Sequence, residues 1–328
     1  MRKRVLSGIQ PSGELTLGNY LGALRRWVTM QDEYENYFCI VDLHALTKPQ
    51  DPQELRRRTR DLVALYLAAG LDTQKSVIFV QSHVSAHSEL AWLLNCFTPM
   101  GWLERMTQYK DNIAKGSGER ISAGLFDYPA LMAADILLYQ AHLVPVGDDQ
   151  RQHVELTRDV AMRFNHRFGD TFVLPEPLIG EAGARIMSLT DPTQKMSKSD
   201  DDPNGTIALL DPPDLVRRKI MRAKTDSGSE ATFDPSRPGI TNLLEIYQTL
   251  TNESQEHVEA HFVGRGYGEV KRETADLVVA ALEPLQQGHR RYVDDPAELD
   301  RQLQLGRDRA AAVAEPTLRD VQEKIGLR

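Results

Sequence analysis

A chain of 328 residues, 41% apolar and 26% charged, has enough hydrophobic material for a sizeable core and suits two domains, or one large α/β domain with an appendage. Its formal net charge of -8 argues against a protein that coats nucleic acid regardless of sequence, because that affinity comes from neutralising phosphates with Lys and Arg. A folded RNA held by local basic patches stays open, since only charges within about a Debye length of the phosphates count.

No stretch reaches the roughly 20 apolar residues of a membrane span. The N-terminus passes Gly8 and Pro11 before an apolar run of signal-peptide length develops. A cytoplasmic protein with no membrane partner is expected. Cys39 and Cys96 both lie in apolar runs and read as reduced core cysteines rather than a disulfide or a zinc site.

In chain order, a first strand runs into the Gly-rich segment from Gly8 to Gly22, and a helix follows from Leu21 to Met30. Tyr37 to Asp42 reads as a buried strand. Asp51 or Pro52 opens a helix with Leu55, Leu62, Tyr66 and Ala69 at helical spacing, and Gly70 closes it. Val77 to Val80 is a further strand. An apolar helix covers Leu131 to Leu138, Leu143 to Val146 reads as a strand despite Pro145, and Gly147-Asp148-Asp149-Gln150 opens a long helix. Alternation of this kind predicts a parallel, Rossmann-like sheet covered by helices, with right-handed crossovers and a ligand crevice at the carboxyl ends of the strands.

Strand signals fade after about residue 205, and Asp214 to Lys224, Gly268 to Leu285 and Asp308 to Ile325 read as amphipathic helices. The expected organisation is therefore an α/β domain over residues 1–204 and an α-helical domain over 205–328, with the last helix packing back on the first domain. The polar cluster from Asp200 to Gly205 serves as a linker or a loop between them.

Three segments carry candidate chemistry. The glycine turn from Gly8 to Gly22, between a strand and a helix N-terminus, offers backbone N–H groups and a positive dipole end to phosphate. Its spacing matches neither the dinucleotide fingerprint nor the P-loop. Far downstream, Lys195-Met196-Ser197-Lys198-Ser199 sets two lysines among hydroxyls, which suits charge developing on a leaving pyrophosphate. Asp135 is the one charged residue in an otherwise apolar helical stretch. A carboxylate there needs a partner, which is either a protein cation or backbone group, or a donor on a ligand. Asp148, Asp149 and His153 could form a metal cluster, although an Asp-rich helix start is otherwise a common cap.

These segments together resemble the class I aminoacyl-tRNA synthetases. The Lys-Met-Ser-Lys-Ser motif is matched letter for letter, and the His-Ile-Gly-His-like motif stands as Thr16-Leu17-Gly18-Asn19, as in the tryptophanyl branch. The likeness to that branch covers nearly the whole chain, including Tyr128 to Tyr139 and Gly183 to Leu189.

It implies a Rossmann-like catalytic domain containing the Lys195–Ser199 loop, a helical anticodon-binding domain, and a ligase. The ligase would activate L-tryptophan with ATP and transfer it to tRNA(Trp). By resemblance Lys195, Ser197, Lys198, Thr16 and Asn19 are catalytic. Gln10, Pro11, Ser12, Gly18, Gly147, Asp148, Asp149, Ile186, Met196 and Ser199 join them in binding ATP. Asp135 accepts the indole N–H, Tyr128 and Gln150 clamp the amino-acid head group, and Met132 and His44 border the pocket. Mg²⁺ is expected to enter with ATP, no protein-held metal is expected, and a homodimer is implied. Arg217, Arg218, Lys219, Arg222 and Lys224 form a candidate tRNA-phosphate patch.

One segment departs from the family pattern. Asn112 stands where relatives carry the second lysine of a Lys-x-Lys-Ser run, and Lys115 is a possible substitute. The alternatives to this reading are a tyrosyl-tRNA synthetase, a small-molecule nucleotidyltransferase, and a synthetase-like tryptophan-binding regulatory paralog.

Overall fold

The computed structural model describes residues 2–114, 122–147, 150–178, 185–197 and 202–328. Five strands form one parallel sheet among these residues: β1 (Arg4–Ile9), β2 (Glu35–Ile40), β3 (Ser76–Val80), β4 (Leu143–Pro145) and β5 (Glu176–Leu178), in the order β3-β2-β1-β4-β5. Chain order reverses between β1 and β4, where Val5 pairs with Leu143, so a crevice opens beyond the carboxyl ends of those two strands.

The helices of the first half are α1 (Leu17–Asn19), α2 (Arg25–Met30), α3 (Asp42–Ala45), α4 (Pro52–Ala68), α5 (Ala86–Asn95), α6 (Met100–Glu104), α7 (Thr107–Ala114), α8 (Ala123–Leu138) and α9 (Arg151–Phe168). Those of the second half are α10 (Pro213–Met221), α11 (Pro238–Thr251), α12 (Gln255–Phe262), α13 (Tyr267–Asp294) and α14 (Pro296–Lys324). Among the described residues no helix is long and apolar enough to cross a membrane.

Strand periodicity divides the core in two. Phe38, Ile40, Ile78 and Val80 face one side of the sheet, where Trp27 and Tyr66 pack on them. That cluster continues into the second half through Met196, Val216, Leu243, Val278 and Leu282. Tyr37, Cys39, Val77 and Phe79 face the other side, under Leu90, Leu94, Ile136, Leu138, Val154 and Phe164. With both faces covered, β2 and β3 read as continuous apolar runs rather than alternating ones.

Helix α14 joins the two faces by crossing the edge strand β3. Leu299 and Leu303 belong to the first cluster, Ala310, Ala314 and Val321 to the second. At the crossing a Cβ on Gly306 would lie 1.8 Å from the Ile78 carbonyl oxygen, so only glycine lets the helix lie this close to the strand. Arg309 donates to the Ser76 carbonyl at 3.0 Å and to that of Thr73, satisfying backbone acceptors at the edge. Gly306→Ala is expected to cost on the order of 3 kcal/mol, because backbone rather than a flexible side chain must give way. Gly101→Ala, in α6 where nothing lies within 4 Å of the added carbon, should leave stability unchanged or raise it by up to about 1 kcal/mol. Thermal unfolding of the two variants checks the contrast.

Several boundaries differ from the sequence reading for local reasons. Gly8 and Ile9 belong to β1, and the first helical turn begins at Leu17 because Thr16 caps it. Helix α13 continues past Pro284 to Asp294, since Leu285 and His289 extend its buried face. Helix α14 starts at Pro296, with Asp295 accepting the Glu298 N–H at 3.1 Å. Cys39 is buried as expected, but Cys96, at the end of α5, is exposed rather than part of the core.

Candidate active site

At the carboxyl end of β1 the chain turns through an exposed Gln10, a buried Pro11 and a half-buried Ser12 to Thr16. Thr16 and Asn19 form a reciprocal cap: the Thr16 N–H donates to Asn19 Oδ1 at 3.0 Å, its hydroxyl donates there at 3.1 Å, and the Asn19 N–H meets Thr16 Oγ1 at 3.4 Å. Thr16 is thereby used up in shaping the turn. Asn19 keeps its Nδ2 donors without a protein acceptor among the described residues, so of the two it is Asn19 that has a group to offer phosphate.

The downstream loop is brought to this turn by a tight antiparallel pairing. Ser188 N–H donates to Gln194 O at 2.8 Å and Met196 N–H to Ile186 O at 3.0 Å, with Met187 facing Lys195. Alternation then buries Met196 and exposes Lys195 and Ser197. Met196 and Ile186 pack against Gly18, whose added Cβ would stand 3.4 Å from the Met196 Cβ and 3.7 Å from that of Ile186. Their buried side chains are spent on this packing, which leaves backbone as what they can present to a nucleotide. The exposed Lys195 pairs with no carboxylate among the described residues. Lys198, Ser199, Asp148, Asp149 and Lys115, together with the side chain of Asn112, lie outside the described residues.

Asp135 is 2% exposed and held by three side chains. Gln81 Nε2 donates to Oδ1 at 2.7 Å, His87 Nδ1 meets the same oxygen at 2.6 Å, and His44 Nε2 meets Oδ2 at 2.8 Å. Burial alone would raise the carboxyl pKa, but the bonds from His44 and His87 bring it down to about 2, so the group is an anion that only accepts. His87 Nδ1 therefore carries a proton, and its Nε2 lies 2.8 Å from the Tyr139 hydroxyl. Tyr139 stays neutral because burial pushes its phenol up. A carboxylate offers about four acceptor positions. Both on Oδ1 are taken, while Oδ2 has one filled by His44 and one left for a further N–H.

Tyr128, Met132 and Asp135 follow one another at i, i+4 and i+7 along one face of α8. His44, delivered by α3 beyond β2, stands edge-on to the Tyr128 ring at 6.0 Å. Tyr128 is fixed by His153 Nε2 at 2.6 Å from its hydroxyl and by Gln108, and burial raises its phenol, so it remains protonated. Gln150 stands at the N-cap position of α9, its N–H donating to the Gly147 carbonyl at 3.0 Å. His153 is thus engaged with Tyr128, and among the described residues no three His, Cys, Asp or Glu side chains form a metal-holding group.

The sequence reading missed His87 and Gln81, although both stand out as polar residues in or beside buried runs, Ala86 to Leu94 and Ser76 to Val80. Its basic patch on α10 needs correction. Lys219 is buried and pairs with Asp211 at 2.7 Å, and Arg217 pairs with Asp276 at 3.0 Å, because Val216, Lys219 and Ile220 form the inward face of the helix. Arg218, Arg222 and Lys224 are exposed.

Comparison with known proteins gives a consistent picture. The family described as tRNA synthetases class I (W and Y) matches residues 1–283. A tryptophan–tRNA ligase of Caldanaerobacter subterraneus is 58% identical over 326 residues, covering 99% of this chain and 98% of that one. The crystal structure of tryptophanyl-tRNA synthetase from Mycoplasma pneumoniae superposes with a TM-score of 0.90 at 38% identity, covering 100% of this chain and 99% of the other. The Campylobacter jejuni enzyme, complexed with ADP and tryptophan, superposes with a TM-score of 0.86 at 36% identity over 98% of this chain and 99% of the other.

Proposed function

The chain belongs to the class I tRNA synthetases of the W and Y family, and from that premise we propose how its crevice works. The activity is tryptophan–tRNA ligation: tryptophan and ATP give tryptophanyl-adenylate and pyrophosphate, and the tryptophanyl group then passes to tRNA. In the first step a tryptophan carboxylate oxygen attacks the α-phosphorus and the bond to the β-phosphate bridging oxygen breaks. In the second, a ribose hydroxyl of the terminal adenosine attacks the acyl carbon and AMP leaves.

The chain's own residues act by position and charge. Asp135 accepts the indole N–H on the free position of Oδ2, while Met132 and His44 line the ring. Tyr128 and Gln150 hold the head group at the entrance to the crevice. The turn from Gln10 to Asn19 holds the phosphates with its backbone and with Asn19. Gly147, Asp148 and Asp149 hold the ribose. Lys195, Ser197 and Lys198 stabilise the pyrophosphate as it leaves. Mg²⁺ comes with ATP as part of the substrate, keeping most of its water, and there neutralises phosphate charge.

The observation that supports this most strongly is the packing of Met196 and Ile186 on Gly18. It brings the segment that carries the exposed Lys195 against the Thr16–Asn19 turn.

Residues 1–204 serve as the catalytic part and 205–328 as the tRNA-gripping part, with Arg218, Arg222 and Lys224 as phosphate contacts. Charge reversal at these three positions should weaken charging of tRNA and spare pyrophosphate exchange, and equal losses in both would remove that assignment. Trp92 on α5 and Met100 on α6 are 68% and 62% exposed, apolar surface that suits a second copy of the chain. Sedimentation at the mass of one chain would count against the dimer.

The deciding assay is amino-acid-dependent ATP–pyrophosphate exchange followed by charging of tRNA. Exchange should depend on tryptophan and charging should follow. Preference for tyrosine, or exchange without charging, would overturn the assignment.

A further inference from the structure

The pairing that presents Lys195 has an outer side. Met187 and Lys195 face each other between two flanking hydrogen bonds, Ser188 to Gln194 and Met196 to Ile186, so the peptide groups of Met187 itself point away from Lys195. Buried peptide groups need partners. They find them in one side chain: Met187 N–H donates to Asn242 Oδ1 at 2.8 Å, and Asn242 Nδ2 donates to Met187 O at 3.0 Å. Asn242 is 2% exposed and lies on α11, among the buried residues Ile240, Leu243 and Leu244. Its amide stands in for the backbone of a third strand, supplying a donor and an acceptor on two separate atoms, which a carboxylate, a single hydroxyl or an aliphatic side chain does not. A second tie lies beside it, where Lys224 N–H donates to Leu189 O at 2.8 Å.

We propose that Asn242 is a positioning residue for pyrophosphate departure: by holding the Met187 peptide from the helical side, it sets where Lys195 stands. This rests on the role given to Lys195 above. Asn242 touches neither the Asp135 cluster nor Tyr128, so its influence is confined to the phosphate end of the crevice. Without the clamp the Met187 peptide loses its hold on α11 and only the Leu189 tie remains on that side, and a shift of about 1 Å in Lys195 suffices to slow the reaction on the order of 10²-fold.

The experiment is a double-mutant cycle in tryptophan-dependent pyrophosphate exchange, with tryptophan affinity read separately by equilibrium dialysis. Asn242→Ala should lower kcat on the order of 10²-fold, leave the Kd for tryptophan unchanged, and have an effect of only a few-fold in a Lys195→Ala background. Asn242→Asp, which keeps the size but turns a carboxylate oxygen on the Met187 carbonyl at a buried position, should be at least as slow as Asn242→Ala, and Asn242→Ser takes the place of the alanine variant should that fail to fold. Equal fractional losses in both backgrounds, an unchanged kcat, or loss of tryptophan affinity in a folded variant would each show that Asn242 does not act through Lys195. If Lys195→Ala alone leaves exchange intact, the reading of Lys195 fails first. If Lys195→Ala is slow and Asn242→Ala is not, only the present inference fails.

Discussion

Asp135→Ala should lower kcat/KM for tryptophan in pyrophosphate exchange on the order of 10² to 10³-fold while changing that for phenylalanine far less. The expected loss follows from the buried cluster. The substitution removes the acceptor for the indole N–H and strands His44, His87 and Gln81 without their common partner, and breaking a buried charged pair costs about 3–5 kcal/mol. On the proposed reading, phenylalanine has no ring N–H, leaves the last position of Oδ2 unfilled in the wild type and is refused for that reason. A site that demands a hydrogen bond rejects the analogue lacking it by roughly 10⁴ to 10⁵-fold. The variant loses that penalty, and its preference for tryptophan should shrink toward the roughly 10²-fold available from shape alone. Thermal unfolding separates a stability defect from a specificity defect. An unchanged tryptophan-to-phenylalanine ratio in a folded variant would remove Asp135 from the recognition site.

Lys195→Ala and Lys198→Ala should each reduce kcat for adenylate formation on the order of 10² to 10³-fold, the usual effect of removing one preorganised group aimed at developing charge. Neither should alter tryptophan affinity, because the role proposed for the lysines is at the pyrophosphate and not at the indole end. For Lys195 the basis is its place in the chain next to Met196, which packs on Gly18, and its exposed side chain, with no carboxylate among the described residues to compete for it. For Lys198 it is the motif. Single-turnover formation of tryptophanyl-adenylate, with tryptophan binding measured in parallel, tests both. Full activity in either single variant would show that the corresponding lysine is a solvated surface residue.

How much of this was readable beforehand varied by residue. The parallel sheet was legible because burial on both faces writes itself into local composition, as in Val77 to Val80. The α4 helix was legible down to its cap, since Asp51 accepts the Gln53 and Glu54 N–H groups at 3.0 and 2.9 Å just before Pro52. Thr16 was readable as a polar loop residue but not as a cap whose hydroxyl is already used. On α10, Lys219 could not be told from Arg218 and Arg222 by charge, because Asp211, which draws it inward, lies in the loop ahead of the helix. Gly306 looked like any helical glycine until Ile78 was placed against it.

The sequence by itself determined the class of fold and the presence of one carboxylate in an apolar helix that had to find a partner. Each of these is a local matter, set by hydrophobic period or by residue type at short spacing. Only the tertiary structure decided which partners those were. Asp135 meets His44, His87 and Gln81 from 91, 48 and 54 residues away, and Asn242 reaches Met187 across 55. A buried polar group must be satisfied by whatever the packed chain brings within about 3 Å, and local periodicity carries no record of that neighbour.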